Sequence, residues 1–140
     1  MISAIVAIAV FGLVISVVIA YALEPGPTPT DIAVGYEEAW DRLDFATLWT
    51  LSGSELRDGL DQRAYVAAKA HAYSGGAELR DLAARVEVLE STAGIGHAVV
   101  RTSVTLRDGA QVRNDVVLTK RSASWVVTGY QLAPNPPQTV

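Results

Sequence analysis

The two histidines are the first side chains in this sequence that suggest chemistry. His71 falls in a predicted helix, and His97 follows the segment GIG at the start of a predicted strand. A protein zinc site needs several His, Cys or carboxylate ligands brought together. The histidines lie 26 positions apart (97 − 71) with no acidic partner at ligand spacing, and the chain has no cysteine. The pattern gives a metal site little support, and we expect neither a metal nor another cofactor.

Polar residues within apolar strands are the second kind of candidate. Thr102 interrupts an alternating set of aliphatic residues in one predicted strand, and Asn114 interrupts the corresponding set in the next. Neither is a base, and His71 is the best basic candidate. Because one titratable residue makes no catalytic constellation, we predict no catalytic residue and treat His71, Thr102 and Asn114 as candidates for a cavity wall.

The remaining carboxylates are expected in structural positions. Asp41 and Asp44, like Asp58 and Asp61, are three residues apart and fit helix ends and caps. No phosphate-binding, dinucleotide-binding or nucleophile-elbow motif occurs. The chain carries 11 basic and 15 acidic residues, a net charge of −4 without a basic cluster. Nucleic acid is therefore not an expected partner.

The N-terminal segment 2–23 contains no charged residue and is apolar on every helical face. Its 22 residues would make a helix of roughly 33 Å, which matches the hydrocarbon thickness of a bilayer. We predict a single transmembrane helix over 1–23. Its small residues would allow close packing with another membrane helix: Ser3, Gly12 and Ser16.

A cleaved signal peptide is the alternative for this segment, because Ala20-Tyr21-Ala22 resembles a cleavage site. The long apolar run and the missing basic leader favour the anchor. Lys and Arg are absent near both ends of the span, so orientation is poorly determined. The short N-terminus slightly favours a cytoplasmic soluble domain, although the linker and the acidic residues Glu24, Asp31, Glu37 and Glu38 suit the outside equally well.

Beyond a Pro-rich linker at 24–30, helical spacing gives way to strand alternation, which predicts one α+β domain. Thr30 or Asp31 is expected to cap the first helix, Asp44 the second and Asp61 the third, with Ala68 and Ala72 of the third facing inward. Four strands follow from about Arg85, joined by short turns that make them antiparallel. Residues 133–140 contain three prolines and are expected to form a loose tail.

This order of elements resembles the nuclear transport factor 2-like superfamily, also called cystatin-like, in which helices and a bent sheet form a cone. The segment AWDRLDFATLWTLSGSEL is similar to the superfamily's opening pattern, and SWVVTGYQL, with Trp125 and Tyr130, to its last strand. The resemblance covers 31–132. It implies the cone fold, and enzymes of the superfamily place an Asp or His with a Tyr inside it. Small membrane-anchored members with Pro-rich linkers look typical of actinobacteria.

We expect a non-catalytic accessory protein that the anchor holds at the membrane, where its domain docks to other membrane-protein subunits, with a respiratory complex as the best guess. Trp49 is the candidate interface residue, because Phe45, Leu48 and Leu51 already form the inward side of its helix. Two alternatives use the cone cavity. One is an isomerase- or dehydratase-like enzyme that acts through His71 or through an acidic residue that lies in the cavity and not at a helix end. The other is a carrier of an apolar small ligand.

Overall fold

The computed structural model describes residues 26–134. These described residues form three α-helices, two short 3₁₀ helices and four strands, which confirms the predicted α+β class. In chain order they are α1 (Pro29–Arg42), α2 (Phe45–Leu51), a 3₁₀ helix (Ser54–Leu56), α3 (Gln62–Ala72), a 3₁₀ helix (Ala77–Leu79), β1 (Ala83–Ala93), β2 (His97–Leu106), β3 (Gln111–Arg121) and β4 (Ser124–Leu132).

Helix α1 begins earlier than the sequence pattern predicted. Thr28 is its N-cap, and Pro29 occupies the first turn. The Thr28 side chain accepts a hydrogen bond from the Asp31 amide, while the Asp31 carboxylate accepts one from the Thr28 amide. Assigning the cap to Thr30 or Asp31 was wrong, because proline fits the first helical turn, where its missing N–H would have no partner. The caps predicted at Asp44 and Asp61 are confirmed.

The four strands form one antiparallel sheet in the order β1-β2-β3-β4. Gly109, with φ of 89°, makes the turn between β2 and β3, as the Asp108-Gly109 pair predicted. Register shifts interrupt the β1–β2 ladder between Val88 and Glu90 and the β3–β4 ladder between Val117 and Leu118. Such irregularities bend strands and increase their twist, which suits the curved sheet.

The core lies between this sheet and α1, with α2 and α3 closing one side. Its buried apolar residues come from the helices and from the inner sides of β2, β3 and β4: Ala33, Tyr36, Ala39, Phe45, Leu48, Tyr65, Ala98, Val100, Val116, Leu118 and Val127. The inward placement of Ala68 and Ala72 was wrong, because both are exposed. Helix α3 packs mainly on α2 and buries only Tyr65 fully.

The predicted membrane anchor, with Ser3, Gly12 and Ser16, lies outside the described residues, as does most of the predicted tail. Within 26–134, no helix combines the length and hydropathy needed to cross a bilayer. At the other end of the domain, the Ala133 amide still donates a hydrogen bond to the Arg113 carbonyl, at 2.9 Å.

Candidate active or ligand-binding site

Glu37 is a carboxylate on the inner side of α1. It shares this side with Ala33, Tyr36 and Ala39, and only 5% of its surface is exposed. A buried carboxylate is costly unless hydrogen bonds or a counter-charge compensate for lost water. From the sequence, Glu37 was considered only as one of four acidic residues that suit the outside of a membrane. The helical spacing held a signal that was missed, because position 37 lies one turn from both Ala33 and Trp40.

Three side chains from the sheet donate hydrogen bonds to Glu37. The Thr102 hydroxyl and the Asn114 amide nitrogen donate to Oε1, at 2.8 and 3.0 Å. The Tyr130 hydroxyl donates to Oε2 at 2.6 Å. The same Asn114 nitrogen also donates to the Tyr130 oxygen, at 3.0 Å. We call these four residues the Glu37 cluster.

The sheet register explains why these donors meet. Thr102 and Asn114 are directly opposed on β2 and β3. Tyr130 on β4 opposes Val116, which lies two residues along β3 from Asn114 and therefore on the same side of the sheet. The structure thus brings together two of the three predicted cavity residues, Thr102 and Asn114, at a carboxylate that had not been singled out.

Tyr130 acts in this cluster as a neutral hydroxyl. Burial first, and then the negative charge of Glu37, raise the pKa of Tyr130 well above the usual tyrosine value. Its ring packs edge-on against Tyr36, with ring centroids 5.1 Å apart. Tyr130 therefore has a fixed position and remains a hydrogen-bond donor at physiological pH.

A pocket of about 220 Å³ opens onto this cluster. Glu37, Asn114 and Tyr130 contribute to its lining, and Asp41 supplies a second carboxylate. Most other lining side chains are apolar: Trp40, Leu79, Leu82, Ala83, Val104, Leu106 and Val112. An apolar pocket with a few convergent polar groups is the usual form of a small-molecule site.

His71 and Trp49 lie elsewhere. His71 is exposed in the last turn of α3 and does not line this pocket. Trp49 is half-buried. Its indole nitrogen donates to the Leu60 carbonyl at 3.1 Å, and the Arg57 guanidinium lies 3.7 Å from the ring centre. Trp49 thus already has partners within its own domain, and its interface role stays a prediction.

No group of three or more His, Cys, Asp or Glu residues between 26 and 134 is arranged to hold a metal ion. The Glu37 cluster itself offers one carboxylate surrounded by uncharged donors. One carboxylate is fewer than the several oxygen ligands that a protein usually gives to a bound Ca²⁺ ion.

Several solved structures of other proteins resemble the described α+β domain in fold. A Campylobacter jejuni protein named as an NTF2-like transpeptidase has a TM-score of 0.53 and 16% identity, over 72% of this chain and 97% of that one. A SEC-C motif containing protein from Rhodopseudomonas palustris has a TM-score of 0.54 and 15% identity, over 76% of this chain and 80% of that one. No family model and no curated protein matches the sequence. At these identities the likeness shows the NTF2-like fold, as the resemblance implied.

Proposed function

We propose that this chain is a membrane-tethered protein whose α+β domain binds a small organic molecule in the pocket next to Glu37. The observation that carries the proposal is a carboxylate, 5% exposed, that lines an apolar pocket of about 220 Å³. Contact with the apolar walls would supply affinity for an apolar body, while the convergent polar groups would fix its orientation. The tether is the predicted helix over 1–23, and the cytoplasmic side is the favoured location of the domain.

Native mass spectrometry of the full chain in lipid nanodiscs tests binding. Leu82 lines the pocket and is 40% exposed, so Leu82→Trp adds bulk at the pocket with little cost to folding. Leu89→Trp is the matched control, because Leu89 is 46% exposed and does not line the pocket. We expect the wild type and the Leu89 variant to retain a small molecule that the Leu82 variant loses. A wild-type chain that retains no molecule would contradict the proposal.

Catalysis in the same pocket is the second candidate. It is favoured by the 2.6 Å contact between Glu37 and Tyr130, since an isomerase-type reaction needs a base beside a hydroxyl that stabilises an enolate. Cyclohexanone in D₂O provides a test by NMR. Faster exchange of its α-hydrogens with the wild type than with Glu37→Gln would support enolisation, and equal rates would refute it.

Docking to a larger membrane assembly, such as a respiratory complex, stays a prediction from the sequence. It depends on the anchor and on Trp49. Detergent extraction followed by affinity purification tests it, because a docked subunit copurifies at a fixed ratio with its partners. Recovery of the chain alone would argue against docking.

Sidedness has a direct test because the chain has no cysteine. A single cysteine introduced at the exposed Ser91 should react with a membrane-impermeant maleimide only after the cells are opened. Labelling of intact cells would place the domain outside.

A further inference from the structure

We propose that the pocket selects a positively charged ligand, an organic ammonium ion attached to a compact apolar body. This inference rests on the proposed binding function and specifies the chemistry of the ligand. The Glu37 cluster brings a negative charge to the pocket without a cation to neutralise it. Its oxygen atoms also keep hydrogen-bond acceptor sites that the described residues leave unused.

The first observation concerns charge. The donors to Glu37 are the uncharged groups of Thr102, Asn114 and Tyr130. Within the described residues, no Lys, Arg or His nitrogen lies in salt-bridge range of Glu37. Hydrogen bonds orient a carboxylate without neutralising it, and an isolated buried charge remains costly. A bound cation would supply the missing counter-charge.

The second observation concerns hydrogen-bonding capacity. A carboxylate accepts about four hydrogen bonds. From residues 26–134, Oε1 of Glu37 receives two and Oε2 only one. The oxygen of the Asn114 amide receives none from these residues, and it is not sealed from solvent. The pocket floor therefore offers acceptors, whereas an ammonium group offers donors and no acceptor.

The third observation concerns the walls. The lining includes the carboxylates of Glu37 and Asp41 and no Lys, Arg or His. Trp40 contributes an aromatic side chain to the lining, and aromatic rings attract cations. The aliphatic walls formed by Leu82, Val104 and Val112 would pack against the rest of the ligand. An anionic ligand would instead face like charge and acceptor oxygens.

A charge series tests this selection with the full chain in phosphatidylcholine nanodiscs. Cyclohexylamine, which is protonated at neutral pH, cyclohexanol and cyclohexanecarboxylate share one ring and differ in charge. Binding is followed by tryptophan fluorescence at about 0.15 M salt, which screens weak surface attraction. We expect the amine to bind at least about tenfold more tightly than the alcohol, with the carboxylate weakest.

Two neighbouring carboxylates provide a matched pair of variants. Glu37→Gln should remove the preference for the amine, whereas Glu38→Gln, which removes the same charge from an exposed position on the same helix, should keep it. Leu82→Trp should weaken amine binding without touching Glu37, and so covers the case in which the Glu37 variant fails to fold. Amine binding that is unchanged in Leu82→Trp would overturn the inference.

The outcomes separate this inference from the proposed function. Equal binding of amine and alcohol in the wild type would overturn selection for a cation and leave small-molecule binding intact. Tighter binding of the carboxylate than of the amine would have the same meaning. Failure of all three probes to bind would overturn both.

Discussion

Two carboxylates lie against opposite faces of the same pair of strands. Glu37 meets Thr102 and Asn114 on the inner face, and Asp115 meets Arg101 on the outer face. The carboxylates are similarly buried, with 5% of Glu37 and 7% of Asp115 exposed. Asp115 accepts two hydrogen bonds from the Arg101 guanidinium, at 2.8 and 3.1 Å.

The two carboxylates differ in whether a residue of the chain supplies a neutralising positive charge. Arg101 neutralises Asp115, and the carboxylate in turn raises the pKa of Arg101 by hydrogen bonding and by charge. Glu37 has comparable burial and more donors, yet none of the donors is a cation. A carboxylate that an arginine of the same chain neutralises forms a structural ion pair. A carboxylate that only uncharged donors hold in place is still available to a cationic ligand.

The largest expected effect is the loss of the inner carboxylate. Glu37→Ala leaves the donors of Thr102, Asn114 and Tyr130 without their acceptor, and we expect the free energy of unfolding to fall by about 3 kcal/mol. Asp115→Ala should cost less than half as much, because the partly exposed Arg101 can turn to water. Urea denaturation of both variants measures the difference. Equal losses would remove the distinction between the two faces.

Tyr130→Phe is the next largest test, because it removes one donor from Glu37 and one acceptor from Asn114 while keeping the ring. We expect a loss of about 1.5 kcal/mol, the usual value for a hydrogen bond to a charged group. Tyr73→Phe is the control, since the Tyr73 hydroxyl makes no hydrogen bond to other described residues. A Tyr130 variant as stable as the Tyr73 variant would show that the contact with Glu37 contributes nothing net.

Alkaline pH should reduce stability through the buried core residue Tyr65 more than through the Arg101–Asp115 pair on the outer face. Burial raises the pKa of Tyr65 from 10.0 to about 12. An unfolded tyrosine then loses its proton before the folded one, so the stabilisation is full below pH 10.0 and is lost as pH rises towards about 12. Unfolding measured across this range should show a shallower decline for Tyr65→Phe than for the wild type. Parallel curves would contradict the assignment to Tyr65.

Added salt should give the smallest change in stability. It should affect the Arg101–Asp115 pair on the outer face and leave the Glu37 cluster unchanged. The Arg101 side chain is 34% exposed, so salt screens its attraction to Asp115. The hydrogen bonds of the Glu37 cluster involve no cation, and Glu37 itself is buried. The destabilisation caused by Asp115→Asn should therefore shrink in 1 M salt, while that caused by Tyr130→Phe stays constant. A salt-dependent Tyr130 effect would indicate a charged partner at the inner site.

Much of the fold was predictable because local signals agreed with the tertiary structure. Asp44 and Asp61 cap the helices as their positions predicted, and strand alternation with Asp108-Gly109 gave the antiparallel hairpin. The errors occurred where local patterns are ambiguous. Thr30 or Asp31 was predicted to cap α1, whereas the cap is Thr28, the residue just before Pro29. Ala68 and Ala72 fit an inward face by spacing, yet α3 packs mainly on α2 and buries only Tyr65 fully.

The site was predictable only in part, for a physical reason. Thr102 and Asn114 stand out because strand alternation marks them as inward. Glu37 does not, since an acidic residue on an amphipathic helix is normally solvated, and only the tertiary fold shows that three donors converge on it. Tyr130 entered through the family resemblance, and its hydroxyl could be assigned a role only once its distance to Glu37 was known.

If the predicted anchor spans a membrane, the Thr28 cap would limit how far the pocket can move from that membrane. If residue 23 marks the end of a span, the six residues to Pro29 reach at most about 20 Å, and the helical rise from Pro29 to Glu37 adds about 12 Å. Molecules entering the pocket would then come from the few nanometres of water nearest the lipid. Amines concentrate in this layer when the lipid carries negative charge, so bilayer composition would set the local supply of ligand.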